Sequence, residues 1–239
     1  MNEQETPQEV MESRYNLPYN WLYKPSGRHW RGKNGLWNIA KDLAGDIAGK
    51  RVLDAGCGDG WYSARMIQEK ADVSGIDLSP RAIAFAQQIL PTGKFVSGSL
   101  TALSYPDKIF DVIFSFQVLE HIPLNEYPEA INELRRVLKD DGRIIVSVPS
   151  VNRPLSRAHF RHFTQETFSE SLEGVFSVEK VLGQEKQSGV RWLLERLLEN
   201  RFWHLPELSE RFHRGVYLRH MNSTTPECGA NLVVCAKKS

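Results

Sequence analysis

The sequence predicts an α/β fold built on a mainly parallel sheet, and three observations predict it. From Lys50 onward short apolar runs alternate with helical segments, the pattern of strands joined by helical crossovers. The first run, Arg51–Ala55, enters a glycine-rich turn directly. The run Asp111–Phe116 is mostly apolar, as expected of a strand covered on both faces.

The 239 residues suit one large domain, or one domain with an added cap. A formal net charge of +1 gives no strong field toward nucleic acid or an anionic membrane. Cys57, Cys228 and Cys235 are odd in number and widely spaced, which fits a reducing compartment better than a disulfide framework. No pair has zinc-knuckle spacing. The first ten residues are acidic and polar, unlike a secretory signal. No stretch approaches the roughly 20 apolar residues that cross a bilayer. The expectation is a soluble cytoplasmic protein without a transmembrane segment.

Up to about Gly35 the chain reads as irregular and aromatic-rich, with Tyr15, Tyr19, Trp21, Tyr23, His29 and Trp30. Leu36 to about Ile47 reads as a helix from the spacing of Leu36, Ile39, Ala40, Leu43 and Ile47. The first strand, Arg51–Ala55, is followed by a helix to about Lys70 and a second strand, Val73–Ile76. Ser79-Pro80 starts the next helix, with serine as N-cap and proline in the first turn, and it runs to about Leu90. Phe95-Val96 is a third strand and Asp111–Phe116 a fourth. A helix over about Asn125–Leu138 leads through Asp140-Asp141-Gly142 into a fifth strand, Arg143–Val148. A helix near Gln165–Leu172, with Thr164 as N-cap, precedes a sixth strand at Phe176–Leu182, and Asn231–Ala236 is the last. The interval 183–227 is long for a connection and carries helical spacing at Val190, Leu193, Leu194, Leu197 and Leu198, so it reads as an inserted helical cap. One domain results, in four parts: 1–49 an N-terminal lid and helix, 50–182 the core, 183–227 the cap, 228–239 the last strand.

Four features carry chemistry. The run Asp54-Ala55-Gly56-Cys57-Gly58-Asp59-Gly60 places glycines at alternate positions between a strand and a helix, where the backbone turns sharply and approaches a ligand. A pyrophosphate site favours G-x-G-x-x-G instead, and Asp54 suits a ligand with a cationic end. Asp77 closes the second strand, where an acid can take both hydroxyls of a ribose. Gly98-Ser99-Leu100 follows the third strand, and Phe116-Gln117-Val118-Leu119-Glu120-His121 follows the fourth.

Together these features resemble the class I S-adenosylmethionine-dependent methyltransferases, well over Lys50–Val148 and more loosely through His162-Phe163-Thr164 to the last strand. The resemblance implies a Rossmann-like seven-stranded sheet, helices on both faces and a final antiparallel strand at Asn231–Ala236. It implies S-adenosyl-L-methionine as methyl donor. Asp54, Gly56, Cys57, Gly58 and Gly60 would lie under its methionine part, Asp77 on the ribose and Leu78 against adenine. Many relatives carry an aspartate at Ser99; its hydroxyl can still accept the adenine amino group. Leu100 would offer a backbone N–H and Gln117 would line the cofactor wall. His29 and Arg31 are candidates for the cofactor carboxylate.

Methyl transfer needs alignment and a site that excludes water, and a hydroxyl nucleophile also needs a base. His121, at the ligand end of the sheet, is the candidate base, with Glu120 and His159 beside it; the alternative is that Glu120-His121 only ties a loop. His159 and Arg161 either face the substrate or pack the loop. Some relatives, including RNA-end methyltransferases and some quinone-pathway enzymes, bind a divalent ion through Glu-x-x-Glu-His. Gln117 replaces the first Glu here, which weakens a site for a hard cation, so no bound metal is expected. The aromatics Tyr15, Tyr19, Trp21, Trp30, Trp192 and Trp203 either shape an acceptor pocket or pack the core. The arginines between Arg191 and Arg219 read as a solvated helical face.

These readings point to O-methylation of a small-molecule or glycan acceptor. A quinone or lipid-like acceptor is the alternative, and a cofactor-binding protein without catalysis is the non-enzyme reading. Near-neutral charge and Gln117-Val118-Leu119 in place of a proline-bracketed motif argue against nucleic acid. The cap leaves a homodimer open.

Overall fold

The computed structural model describes residues 7–25, 27–186, 189–198 and 206–239. Its centre is one sheet. The strands are β1 (Arg51–Ala55), β2 (Asp72–Asp77), β3 (Lys94–Ser97), β4 (Phe110–Phe116), β5 (Leu138–Pro149), β6 (Phe176–Lys186), β7 (Ser223–Thr224) and β8 (Gly229–Lys238). They lie in the order β3-β2-β1-β4-β5-β8-β6-β7. The first five pair in parallel, and β8 runs antiparallel between β5 and β6.

The seven expected strands are present, and an eighth joins them. That strand, β7, is two residues long and pairs with Gly183 and Gln184. It lies inside the segment read as a helical cap and is too short for a periodicity to show. The sixth strand also runs past its expected end at Leu182, because β8 continues to pair with it as far as Lys186↔Gly229.

The helices are α1 (Pro7–Arg14), α2 (Arg28–Ala44), α3 (Trp61–Gln68), α4 (Pro80–Ile89), α5 (Tyr127–Val137), α6 (Gln165–Glu170), α7 (Gly189–Leu198) and α8 (Pro206–Phe212). The N-terminal region is therefore not irregular to Gly35. It holds α1, and α2 begins eight residues before Leu36. Gly32 and Gly35 weaken the helical signal there; tertiary contacts make up for it, including Asn222 Nδ2 donating to Gly35 O at 2.9 Å. The expected caps are in place. Ser79 Oγ accepts from Ala82 N at 3.1 Å, and Thr164 forms a capping box with Thr167. Phe202 and Trp203 lie outside the described residues, as do the side chains of Arg191, Trp192 and Arg219.

Helices cover both faces. On one face α5 and α6 pack Ile131, Leu134 and Phe168 against Ile113, Ile144 and Leu232. On the other, α2 and α3 pack Trp37, Ala40 and Met66 against Val52, Phe114 and Ile145. Every inward position of β4 is thus dry, which explains its apolar sequence. The ends of β1, β2 and β4 then open onto one crevice where the order reverses, the place where such sheets bind ligands. Among the described residues no helix is long and apolar enough to cross a membrane.

Phe114 is fully buried, with ring centroids 5.7 Å from Trp37 and 5.5 Å from Phe116. Phe114→Ala should lower the unfolding free energy in urea by about 3–5 kcal/mol.

Candidate active site

The glycine turn is tied to the neighbouring strand by its own backbone. The amides of Gly56 and Cys57 both donate to Ile76 O, at 2.8 and 3.0 Å. Gly56, Gly58 and Gly60 have φ of +82°, +54° and +80°, values that suit glycine. Space matters as much as φ. A Cβ on Gly56 would stand 2.2 Å from Val118 Cγ2, and one on Gly58 2.5 Å from the Tyr15 hydroxyl. The Asp77 carboxylate accepts from Gly58 N at 2.8 Å and from Ser79 N at 2.9 Å, which fixes its direction. Burial nevertheless holds its pKa above the ordinary carboxylate value.

A cleft of about 790 Å³ opens above this turn. Gly56, Cys57, Gly58, Asp77, Leu78, Ser99, Leu100 and Gln117 all lie on its wall, together with Glu120, His121 and His159. Asp54 and Gly60 do not. Asp54 is 1% exposed, accepts from Ser63 Oγ at 2.6 Å and is pushed up to about 7 by burial. Gly60 is the N-cap of α3 and packs against Ala86 and Leu90. Both shape the turn from behind. Ser99 Oγ is engaged within its own turn by Thr101, at 2.8 Å to the hydroxyl and 3.2 Å to the amide. Gln117 has φ +57°, a strained value for a non-glycine residue, and its side chain donates to Ser147 Oγ at 3.2 Å.

The N-terminal segment closes one side of the cleft, held by residues the sequence reading passed over. The Asp59 carboxylate accepts from Asn20 N and Nδ2 at 3.0 and 2.9 Å, and its carbonyl accepts from Trp21 Nε1 at 2.9 Å. Tyr15, Tyr19 and Tyr23 line the cleft as a chain of ring contacts, while Trp30 packs on His213 away from it. Of the residues expected near the cofactor carboxylate, His29 is on the wall, stacked on Tyr23. Arg31 is not: it is fully buried, donates to Ser209 Oγ at 2.7 Å and lies over Phe212. Arg28 and Lys33 of the same helix do line the cleft. Lys33 donates to Asn20 Oδ1 at 3.0 Å and sits over the rings of Trp61 and Tyr62, with burial lowering its pKa to about 8. Residues 29 and 33 share one helix face and 31 does not, so the i,i+4 rule would have found Lys33 once α2 was known to start at Arg28.

Beyond the cofactor wall, a 3₁₀ turn at Leu119–His121 meets the loop that follows β5. Phe160 N donates to Glu120 O at 2.9 Å. His121 Nδ1 is 2.5 Å from Ala158 O, and a carbonyl only accepts, so Nδ1 carries the proton. By the same rule His162 Nδ1 donates to Arg153 O at 3.1 Å, and His159 Nδ1 donates to His162 Nε2 at 2.8 Å. Both His121 and His159 are thereby left with a bare Nε2. Burial lowers the His121 pKa; burial and the neighbouring imidazoles push His159 down to about 3. Glu120 is fully buried, its carboxylate has no hydrogen-bond partner among the described residues, and desolvation raises it to about 8. Ligand atoms of Glu120, His121 and His159 all lie within 4.8 Å of one another. Arg161 packs the loop, donating to Ile122 O and lying 4.6 Å over the Tyr127 ring.

The family described as a methyltransferase domain matches residues 53–146, the stretch from the glycine strand to the fifth strand. A probable S-adenosylmethionine-dependent methyltransferase of Mycolicibacterium smegmatis is 35% identical over 154 residues, covering 61% of this chain and 59% of that protein. A ubiquinone biosynthesis O-methyltransferase of Azoarcus is 37% identical over 112 residues, covering 44% of this chain and 47% of that protein. The chain thus spans about half to three fifths of the length of these relatives. The structure of an S-adenosylmethionine-dependent methyltransferase from Mesorhizobium loti aligns with a TM-score of 0.59 at 20% identity, over 85% of this chain and 98% of that one. Residues 53–146 thus match a methyltransferase domain, and the chain shares the Rossmann-like fold of the solved structures it aligns with.

The glycine turn, Asp77 and the Ser99-Leu100 loop line the same cleft as the histidine cluster, Arg153, Gln184 and Asn231. Asp77→Ala should weaken S-adenosylhomocysteine binding by about 1–3 kcal/mol in calorimetry, the scale for losing a charged hydrogen-bond partner. Unchanged affinity would remove the ribose assignment.

Proposed function

We propose that this chain transfers the methyl group of S-adenosylmethionine to a hydroxyl of a small polar or glycan acceptor, with His121 as base. The observation that carries the reading is the His121 tautomer: its Nδ1 proton is given to Ala158 O, so a bare Nε2 belongs to a residue on the wall of the cleft. When bound, the donor supplies a methyl group on a sulfonium. The glycine turn lines the cleft with bare backbone, and Asp77, fixed by Gly58 N and Ser79 N, would hold its ribose. His121 takes the hydroxyl proton at Nε2 as the oxygen–carbon bond forms, and burial keeps the ring neutral and ready to do so near pH 7. The relative from Azoarcus is named for ubiquinone biosynthesis. The acceptor end here is instead lined by Arg153, Gln184, Glu185 and Asn231, which favours a polar acceptor over a quinone. A charge of +1 keeps nucleic acid outside the reading.

A second reading rests on Glu120. A fully buried carboxylate without a partner, grouped with two imidazole nitrogens, fits a divalent ion. Glu120, His121 and His159 would hold it, and the ion would polarise the acceptor hydroxyl. The expectation of no metal rested on Gln117, which this cluster does not require.

Transfer of labelled methyl from S-adenosylmethionine into fractionated cell extract, with and without chelator, tests both readings. Label in a polar fraction that survives chelation supports the base mechanism; loss of transfer on chelation, restored by added Mn²⁺ or Zn²⁺, moves the mechanism to the ion. Label confined to lipid, or none in any hydroxyl-bearing fraction, overturns the acceptor class. In chelated enzyme His121→Gln should lower kcat by about 10²–10⁴. Protonating Nε2 removes the base, so the rate should fall as pH drops, with the acid limb below about 6.5 because burial lowers this histidine.

A further inference from the structure

The cleft is lined by two arginines, Arg153 and Arg14, that form no ion pair among the described residues. Arg153 lies on the cleft wall in the loop after β5. Its guanidinium donates to Asn231 Oδ1 at 2.9 Å. Asn231 in turn donates to Gln184 Oε1 at 2.6 Å, and both amides are buried, at 6% and 1% exposure. A neutral, buried amide pair therefore aims Arg153 without neutralising it. Among the described residues no carboxylate forms an ion pair with Arg153 or with Arg14, the last residue of α1, which also lines the cleft.

Both arginines bear on the same spot. Each acts electrostatically on His159, and Arg14 also acts on His121, in every case helping to keep the imidazole neutral. The main-chain carbonyl of Arg153 fixes the His162 tautomer, and through it that of His159. Arg153 and the two bare imidazole nitrogens are thus parts of one loop assembly. Glu9, Glu12, Asp77, Glu120, Glu126 and Glu185 line the same wall, and Arg153 acts electrostatically on the buried Glu120 without pairing with it. Glu12 is paired with Arg81 at 3.4 Å, and Glu126 is exposed at the start of α5. Beside imidazoles held neutral, these two guanidiniums are local cationic contacts for an anion. A guanidinium with free donors meets a carboxylate or phosphate in a two-bond fork.

We propose that the acceptor carries an anionic group, a carboxylate or a phosphate ester, which Arg153 and Arg14 bind while a neighbouring hydroxyl meets His121. The inference rests on the acceptor reading above, and it narrows that reading from polar to acidic.

Ligand-observed NMR on the protein saturated with S-adenosylhomocysteine tests it, with glucuronate, glucose 6-phosphate and glucose as probes. One or both acids should bind and glucose should not; the stronger acid probe tells carboxylate from phosphate. Arg153→Gln should weaken acid binding roughly tenfold or more, the loss of a charge-assisted pair, while the affinity for S-adenosylhomocysteine reports an intact fold. If that variant does not fold, Arg14→Gln, an exposed change on α1, carries the same test. Glucose binding as well as the acids, no acid binding, or acid affinity indifferent to both arginines would overturn the proposal. Methyl transfer to the same probes separates the two readings. Arginine-dependent acid binding with no transfer to any hydroxyl would remove the O-methylation reading and leave the anion site standing. Transfer to neutral and acidic acceptors alike would do the reverse.

Discussion

Everything at this site depends on the backbone tie between the ends of β1 and β2. Two amides of the glycine turn converge on Ile76 O, and the next amide, that of Gly58, is taken by Asp77. The turn's glycines leave no room for side chains of their own against Val118 and Tyr15, and the turn is bonded to the strand that presents Asp77. Asp59 extends the same turn outward: its carboxylate and carbonyl hold Asn20 and Trp21, and so bring the N-terminal tyrosines over the cleft. One stretch of six residues therefore fixes floor, acid and cover together. Disturbing any of them moves the others.

The second constraint is burial of polar groups at the far end of the cleft. Glu120 has no hydrogen-bond partner among the described residues, and two imidazoles are held neutral beside it. An unpaired buried carboxyl costs stability unless it is protonated or meets a ligand. Such a cluster is retained where binding or catalysis uses it. The main-chain carbonyls of Ala158 and Arg153 set the tautomers. The chemistry of the imidazoles is thus decided by the course of a loop, and the arginine that supplies one of these carbonyls also places its side chain in the cleft.

Much of the core was legible in the sequence because its signals are local. A strand that enters alternate glycines, an acid at the next strand end and a Ser-Pro helix start each occupy fewer than ten adjacent residues. The same holds for Thr164, whose cap needs only its own first turn. The errors share an opposite cause. The start of α2 was hidden by Gly32 and Gly35, whose positions make sense only against Asn222 and the end of β6. The two-residue β7 and the last turn of β6 exist because β8 lies alongside. With the helix start misplaced, Arg31 rather than Lys33 was assigned to the cleft.

The sequence by itself determined the resemblance to methyltransferases, the α/β order of the core and the residues that stand at the glycine turn and the strand ends, since spacing along the chain carries that information. Tertiary structure decided which of those residues face the cleft and which stand behind it: Asp54 and Gly60 behind, Lys33 in place of Arg31. It also decided that Glu120, His121 and His159 meet, that Asn231 and Gln184 aim Arg153, and that residues between Glu9 and Tyr23 line one side of the cleft. Those outcomes depend on contacts between segments 20 to 190 residues apart, such as Asn20 with Asp59 and Gly35 with Asn222. Chain periodicity carries no record of such contacts; packing and the need to satisfy buried polar groups set them.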